Sequence, residues 1–168
     1  MRTWDEQLDL LIRARTPLIW IRSGEEERVE ALLGQAAKRL MPRRLVTWDY
    51  IDGLQGVLNS QGLAARQPMA ILQWLQKLET TSPTILLVKD FHRFCEDAGI
   101  IRMLRNLSIQ LRQKPHTVVL CSGPWNPPVE LEEAITILDL PLPHGEELRQ
   151  LIGNIAESSG NPLENNVL

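Results

Sequence analysis

The run Thr84-Ile-Leu-Leu-Val-Lys89 narrows the fold more than any other stretch of the chain. It is apolar on both alternating faces, and a strand that offers no face to water belongs inside a sheet covered on both sides. Such sheets are parallel, and parallel neighbours need crossovers of a dozen or more residues, usually helical. The rest of the chain supplies both parts. Segments 18–21, 44–49, 117–121 and 135–140 read as four further strands. Helical periods separate them: Trp4, Leu8, Leu11 and Ile12; then Val29, Leu32, Leu33, Ala36, Ala37 and Leu40 over 25–40; then Ile71, Leu72, Leu75 and Leu78; then Ile100, Ile101, Leu104, Leu107 and Leu111 over 97–113. The expected architecture is a three-layer α/β/α sandwich around a five-stranded, mostly parallel sheet with right-handed crossovers.

Punctuation supports these boundaries. Thr3 with Glu6 and Ser23 with Glu26 have capping-box spacing at two helix starts. Pro17, Pro42, Pro115, Pro141 and Pro143 stop elements, and Pro68 suits the first position of a helix. Residues 52–67 contain glycines and no clear period, so no element is assigned there. A last helix is expected over 145–156. Residues 1–157 thus form one α/β domain, and 158–168 read as a tail leading toward a lid or a second domain.

Composition removes several function classes. With 168 residues, one such domain fills the chain. A net charge of −3 lacks the basic footprint of a dedicated nucleic-acid binder. Cys95 and Cys121 lie far apart without a CxxC or Cys/His spacing, so no disulfide framework or zinc site is signalled. No apolar run approaches the roughly 20 residues that span a bilayer. The expectation is a cytoplasmic protein with neither membrane nor nucleic-acid partners.

In open α/β sheets ligands sit beyond the carboxyl ends of the strands, and the first strand-to-helix junction is where a phosphate loop would lie. Here it reads Arg22-Ser23-Gly24-Glu25-Glu26-Glu27. A phosphate loop needs consecutive free amides, a lysine and a hydroxyl for Mg²⁺. Only Ser23 and Gly24 separate strand from helix, the lysine is missing, and the first helical turn carries three acids. No cofactor is expected in this domain. The apolar strand ending in Asp90 has the form of a Walker B motif, but Phe91 stands where the water-polarising glutamate would be. Ser122, after the fourth strand, sits where a γ-phosphate-sensing residue would. Ser23, Gly24, Asp90 and Ser122 read as vestiges of a nucleotide site. The other reading is nucleotide binding by an unconventional route, through Asp90 and the first junction.

The opening helix, Thr16-Pro-Leu-Ile-Trp-Ile21, the Ser-Gly-Glu-Glu-Glu-Arg-Val-Glu turn, Leu87-Val-Lys-Asp-Phe-His-Arg-Phe94, Ile101-Arg-Met-Leu-Arg-Asn-Leu107 and Ile137-Leu-Asp-Leu-Pro-Leu-Pro143 together resemble the N-terminal region of an AAA+ ATPase family encoded in cyanobacteria and some algal chloroplast genomes. The resemblance covers nearly the whole chain. It implies a degenerate AAA+ domain, a P-loop NTPase-like fold without the P-loop, in front of an intact cassette. It also implies ATP and Mg²⁺ in that cassette, a role in regulating photosynthesis or inorganic-carbon use, and partners in the protein's own cassette or other subunits, including a homo-oligomer. No arginine-finger element precedes the fifth strand.

Asp90, His92 and Cys95 cluster in sequence, but nothing in their spacing enforces a nucleophile–base–acid geometry. His116 and His144 are expected at the surface. Arg102, Arg105 and Arg112 fall opposite the apolar stripe of their helix, as a solvated face or a docking surface for an acidic partner. Trp125, in the Gly123-Pro-Trp-Asn-Pro-Pro128 loop, is expected as an exposed contact anchor, while the other four tryptophans suit the core.

Overall fold

In the computed structural model, residues 2–143 are described, together with Gly145, Leu148, Arg149, Ile152 and Gly153. The last helix expected over 145–156 and the tail 158–168 lie largely outside the described residues, as does His144. The elements run α1 (Trp4–Arg13), β1 (Leu18–Arg22), α2 (Glu26–Arg39), β2 (Arg44–Asp49), β3 (Gly53–Gln55), α3 (Pro68–Lys77), β4 (Thr84–Lys89), α4 (Ala98–Gln110), β5 (His116–Ser122), α5 (Val129–Glu132) and β6 (Thr136–Asp139). Short 3₁₀ turns at Phe91–Phe94 and Leu111–Gln113 flank α4.

Strand order is β3-β2-β4-β5-β1-β6, with every pair parallel except β2–β3. The sheet therefore has six strands rather than five. The extra one, β3, is an antiparallel edge inside the unassigned 52–67 region. Its turn is held by the Asp49 carboxylate, which accepts from the amides of Ile51 and Asp52 at 2.8 Å each. Three residues beginning with glycine carry no readable alternation, which is why the sequence leaves β3 hidden.

Alternation along the strands divides the core between the two sheet faces. Leu18, Trp20, Leu86, Val88, Val118 and Leu120 pack beneath α3 and α4 with Trp48 and Phe91. Ile19, Ile21, Ile85, Leu87 and Val119 pack beneath α1 and α2. The two helical layers cover β4 and β5 from both sides, so β4 is buried from Thr84 to Val88 and β5 throughout.

The Thr3–Glu6 capping box forms as expected. The second box does not: Ser23 Oγ accepts from Glu25 N at 3.0 Å, and Glu25 occupies the N-cap of α2 without a side-chain cap. The strand ends far enough from the helix that Ser23 closes its own turn instead.

His116 is also a correction, since it is only 1% exposed at the start of β5. Neither ring nitrogen makes a well-formed hydrogen bond. Burial pushes its pKa below the usual imidazole range; the nearby Leu78 and Glu79 backbone opposes that push, while the Lys114 and Arg43 cations add to it. The unfolded chain therefore takes up this proton first, and stability is complete above about pH 6.5 and declines as pH falls below it. Burial shifts His92 in the same direction. Thermal denaturation between pH 7.5 and 5 should show a falling Tm, less steep in His116→Leu; equal slopes in the two proteins would refute the assignment.

Candidate functional site

The carboxyl ends of β1, β4, β5 and β6 meet at one edge of the sheet, where Ser23, Gly24, Asp90 and Ser122 lie. Register sets Arg22 beside Ser122 on one side and Asp139 on the other. The turn after β1 is stitched down at once: Ser23 N donates to Ser122 O at 2.9 Å, and Cys121 Sγ lies 3.5 Å from Ser23 O. With the Glu25 amide on Ser23 Oγ, two of the amides that a phosphate cradle would use are already committed. Gly24 has an ordinary backbone angle, and a Cβ added there would meet nothing within 4 Å. It does not provide the close backbone approach that phosphate-loop glycines provide.

Side chains fill the space above. Trp20 Nε1 donates to Ser122 Oγ at 3.0 Å, and Ser122 Oγ donates to Gly123 O at 3.1 Å. Ser122 is thus a buried anchor for an indole. Arg22 and Asp139 form a two-pronged ion pair, and the hydrogen bond from Arg22 holds the Asp139 carboxyl below its usual range. Arg28 donates to Pro141 O at 2.9 Å and to Glu25, tying α2 to the segment after β6.

Trp125 corrects its expectation. It is half-buried, packed edge-on against Trp20 with centroids 5.2 Å apart and lying 6.1 Å from the His92 ring. The proline-rich loop folds back over the site, so Trp125 covers Trp20 and is not a free anchor.

Asp90 lies apart. Its amide donates to Cys121 O at 3.1 Å, its φ is 53°, and its side chain is 70% exposed. A left-handed residue ends β4 and starts the Phe91–Phe94 turn, a position Asp tolerates better than most. The Asp90, His92 and Cys95 group does not assemble into a nucleophile and base. His92 Nδ1 is 3.9 Å from Asp90, while the Cys95 thiol is buried in the core, donates to Phe91 O at 3.6 Å and is pushed up to about 12. A thiol held protonated is no nucleophile. Among the described residues no cluster of His, Cys, Asp and Glu could hold a metal ion, and no helix is long and apolar enough to cross a membrane.

Arg102, Arg105 and Arg112 are all exposed on one stripe of α4 and its 3₁₀ extension, with Ile109, 64% exposed, between them. Helix α4 carries no acid. The Arg22–Asp139 pair and the Trp20–Ser122 bond are what sequence reasoning misses. Each links residues of neighbouring parallel strands, so the signal for both lies in the strand order rather than in any local pattern.

Residues 4–140 match the family model described as "SpoVK-like AAA ATPase, N-terminal domain". The AAA domain-containing protein ycf46 of Guillardia theta is 38% identical over 154 residues, 92% of this chain and 30% of that protein. Its counterpart from Trieres chinensis is 34% identical over 155 residues, 92% of this chain and 31% of that one. The chain thus spans about a third of the length of these relatives, which are of the kind the sequence resemblance anticipated. Among solved structures, a variant of Thermotoga maritima RuvB aligns with a TM-score of 0.55 at 14% identity, over 93% of this chain and 50% of that one. Caenorhabditis elegans PCH-2 aligns with a TM-score of 0.54 at 12% identity, over 98% and 49%. At such identities the likeness concerns fold alone, that of the AAA+ P-loop NTPases. By the family match and the relatives together, the chain belongs to the SpoVK-like AAA ATPase N-terminal domain family.

Proposed function

We propose that this domain is a non-catalytic AAA+-like assembly and interaction module of a longer AAA+ protein, with ATP and Mg²⁺ handled by a cassette elsewhere in that protein. The observation that carries this reading is the committed β1–α2 junction, with Ser23 N on Ser122 O and Glu25 N on Ser23 Oγ. Magnitudes favour it too. A carboxylate such as Glu26 or Glu27 about 4 Å from a phosphate oxygen opposes binding by about 4 kcal/mol at a near-surface dielectric, whereas a helix N-terminus offers about 0.3–1 kcal/mol. The exposed Asp90 carboxylate at the end of β4 is the one feature favouring a second reading, a nucleotide sensor with an atypical site.

The module's contact face in this reading is the α4 stripe, docked on an acidic surface of the cassette or of a neighbouring subunit. By resemblance the whole protein would act in regulating photosynthesis or inorganic-carbon uptake, in cyanobacterial cytoplasm or chloroplast stroma. Arg102→Glu with Arg105→Glu in the longer protein should leave Tm within a degree or two, because exposed charges contribute little to stability. It should weaken association at least tenfold by analytical ultracentrifugation. Unchanged association would remove the α4 face from the reading.

A further inference from the structure

The amino edge of the sheet, at the far end of the strands from the β1–α2 junction, carries a polar row on a face that is otherwise apolar. Register aligns Arg44 on β2, Thr84 on β4 and His116 on β5. Residues two apart on a strand share a face, so this row lies on the side that α3 and α4 cover. Val46, Leu86 and Val118 form the next row there, and Trp48, Val88 and Leu120 the one after. Thr84 is satisfied, its Oγ1 donating to Ser82 O at 2.7 Å. Its neighbours in the row are not. Arg44 Nε, both His116 nitrogens and the adjoining Arg43 Nε are buried without a well-formed partner, and they make up four of the six such atoms among the described residues. Unmet hydrogen-bonding capacity is thus concentrated at one place, where buried polar groups call for a partner.

Charge around the row has one sign. Arg43, Arg44 and Lys114 stand at the starts of β2 and β5 without an ion pair among the described residues. Glu79 is the one carboxylate in the segments that lead into β2, β4 and β5 (38–43, 78–83 and 111–115), and it is exposed. Burial lowers the pKa of Arg43 and the charge of Arg15 adds to the effect, while the charges that act on buried His116 are those of Lys114 and Arg43. Among the described residues no carboxylate opposes either shift. Lys114 has a structural task, donating to Gln76 O at 2.7 Å and to Leu78 O at 3.4 Å at the end of α3. Arg43 Nη1 donates to Pro115 O at 2.9 Å. The Arg44 side chain makes no hydrogen bond at all, and of its three nitrogens only Nε is closed off from solvent. A bridging water would meet the buried nitrogens but leave the charge uncompensated, whereas a dianion meets both needs.

We propose that the Arg44–Thr84–His116 row is the floor of an oxyanion site. It takes a tetrahedral dianion of the phosphate class, free or as the end of a small phosphate ester, on the outward nitrogens of Arg44 and the remaining proton of Lys114, beside the exposed 79–82 loop. The site goes beyond the interaction-module reading and does not depend on it. It lies at the opposite end of the strands from Ser23, Gly24, Asp90 and Ser122. A single ion at a half-exposed edge binds more weakly than millimolar, so nucleotide at millimolar concentration leaves Tm unmoved through this site.

The test titrates sulfate into ¹⁵N-labelled protein at constant ionic strength, balanced with chloride, and follows backbone amides and imidazole nitrogens by NMR. Sulfate is the first probe because its own charge does not change through the imidazole range. Saturable shifts at tens of millimolar are expected at Arg44, Thr84 and His116. Bound sulfate should also raise the His116 pKa, because an adjacent anion favours the imidazolium, so affinity should rise as pH falls. Inorganic phosphate and methyl phosphate should shift the same amides, and the tighter of the two identifies the source of the group. Arg44→Gln should weaken sulfate binding at least tenfold at unchanged Tm, whereas Lys38→Gln, exposed in the last turn of α2, should leave it within twofold. If Arg44→Gln does not fold, the His116 titration in the unaltered protein and the Lys38→Gln comparison still decide the matter. Shifts spread evenly along the edge, or equal losses in the two variants, would overturn the proposal in favour of a diffuse charge effect. No saturable change, or a His116 pKa that sulfate leaves unmoved, would overturn it in favour of a row met by water.

Discussion

Trp48→Ala should be among the most damaging single substitutions in this domain, lowering stability by about 3–5 kcal/mol, the range for deleting a fully buried tryptophan. Trp48 is fully buried in the core beneath α3 and α4, meets Phe91 and Phe94 edge-on at 5.5 and 6.1 Å, and donates from Nε1 to Ala64 O at 3.0 Å. Truncation opens a cavity and removes one of the two donors to the Ala64 carbonyl, leaving it the Gln67 amide at 3.0 Å. That carbonyl helps fix a loop in which Ala64 and Arg66 both hold φ at 58°. Against a total of roughly 5–15 kcal/mol, the loss is most of the margin in a marginal protein. Urea denaturation should show the midpoint falling steeply. Trp48→Phe keeps most of the volume but not the donor, and should recover the greater part. A loss under about 1 kcal/mol for Trp48→Ala would mean that the loop does not close on the sheet as described.

The second large effect is expected at Gly53. Its φ is +73°, and an added Cβ would stand 2.5 Å from Leu63 O and 2.8 Å from Ala65 N, both backbone atoms. Gly53→Ala therefore combines left-handed strain of about 1–2 kcal/mol with a clash that no side-chain rotation relieves. β3 should detach from β2, with a total cost of about 3 kcal/mol or more and faster hydrogen exchange at Leu54, whose amide donates to Leu63 O. Gly62→Ala is the control. It shares a positive φ of 73° but has open space around the site, so the strain alone should appear. Equal costs at the two positions would contradict the close approach.

Gly53 falls in the 52–67 region that the sequence leaves unread, and Trp48, on a strand that the sequence does show, is bonded to Ala64 of that same region. β1, β4 and β5 are legible because their residues are apolar on both faces, a pattern that parallel, doubly covered strands impose whatever their partners, whereas β2 and the edge strand β6 are marked out by the prolines that bound them, Pro42 and Pro141. β3 is fixed instead by the Asp49 turn and by contacts from residues 60–66, which leave no period. Trp125 reads as exposed because it lies among prolines, yet its position is set by Trp20, distant in the chain. His116 reads as an edge residue, whereas the Lys114–Pro115 approach turns it inward at the first position of β5. The candidate site is half legible. Ser23 and Ser122 do converge, but as mutual hydrogen-bond partners rather than as ligands for an anion. The Arg22–Asp139 pair that closes the other side depends on β6 lying next to β1, an adjacency that no local pattern encodes.

The central claim, that the β1–α2 junction is already filled and does not receive a nucleotide, is tested most directly by thermal denaturation with and without millimolar MgATP or MgADP. A ligand present at 100 times its Kd would stabilise by about 2.7 kcal/mol, several degrees for a domain of this size. The expected result is a Tm unchanged within error for both nucleotides. A rise of several degrees that Asp90→Ala abolishes would contradict it and make the domain a nucleotide sensor.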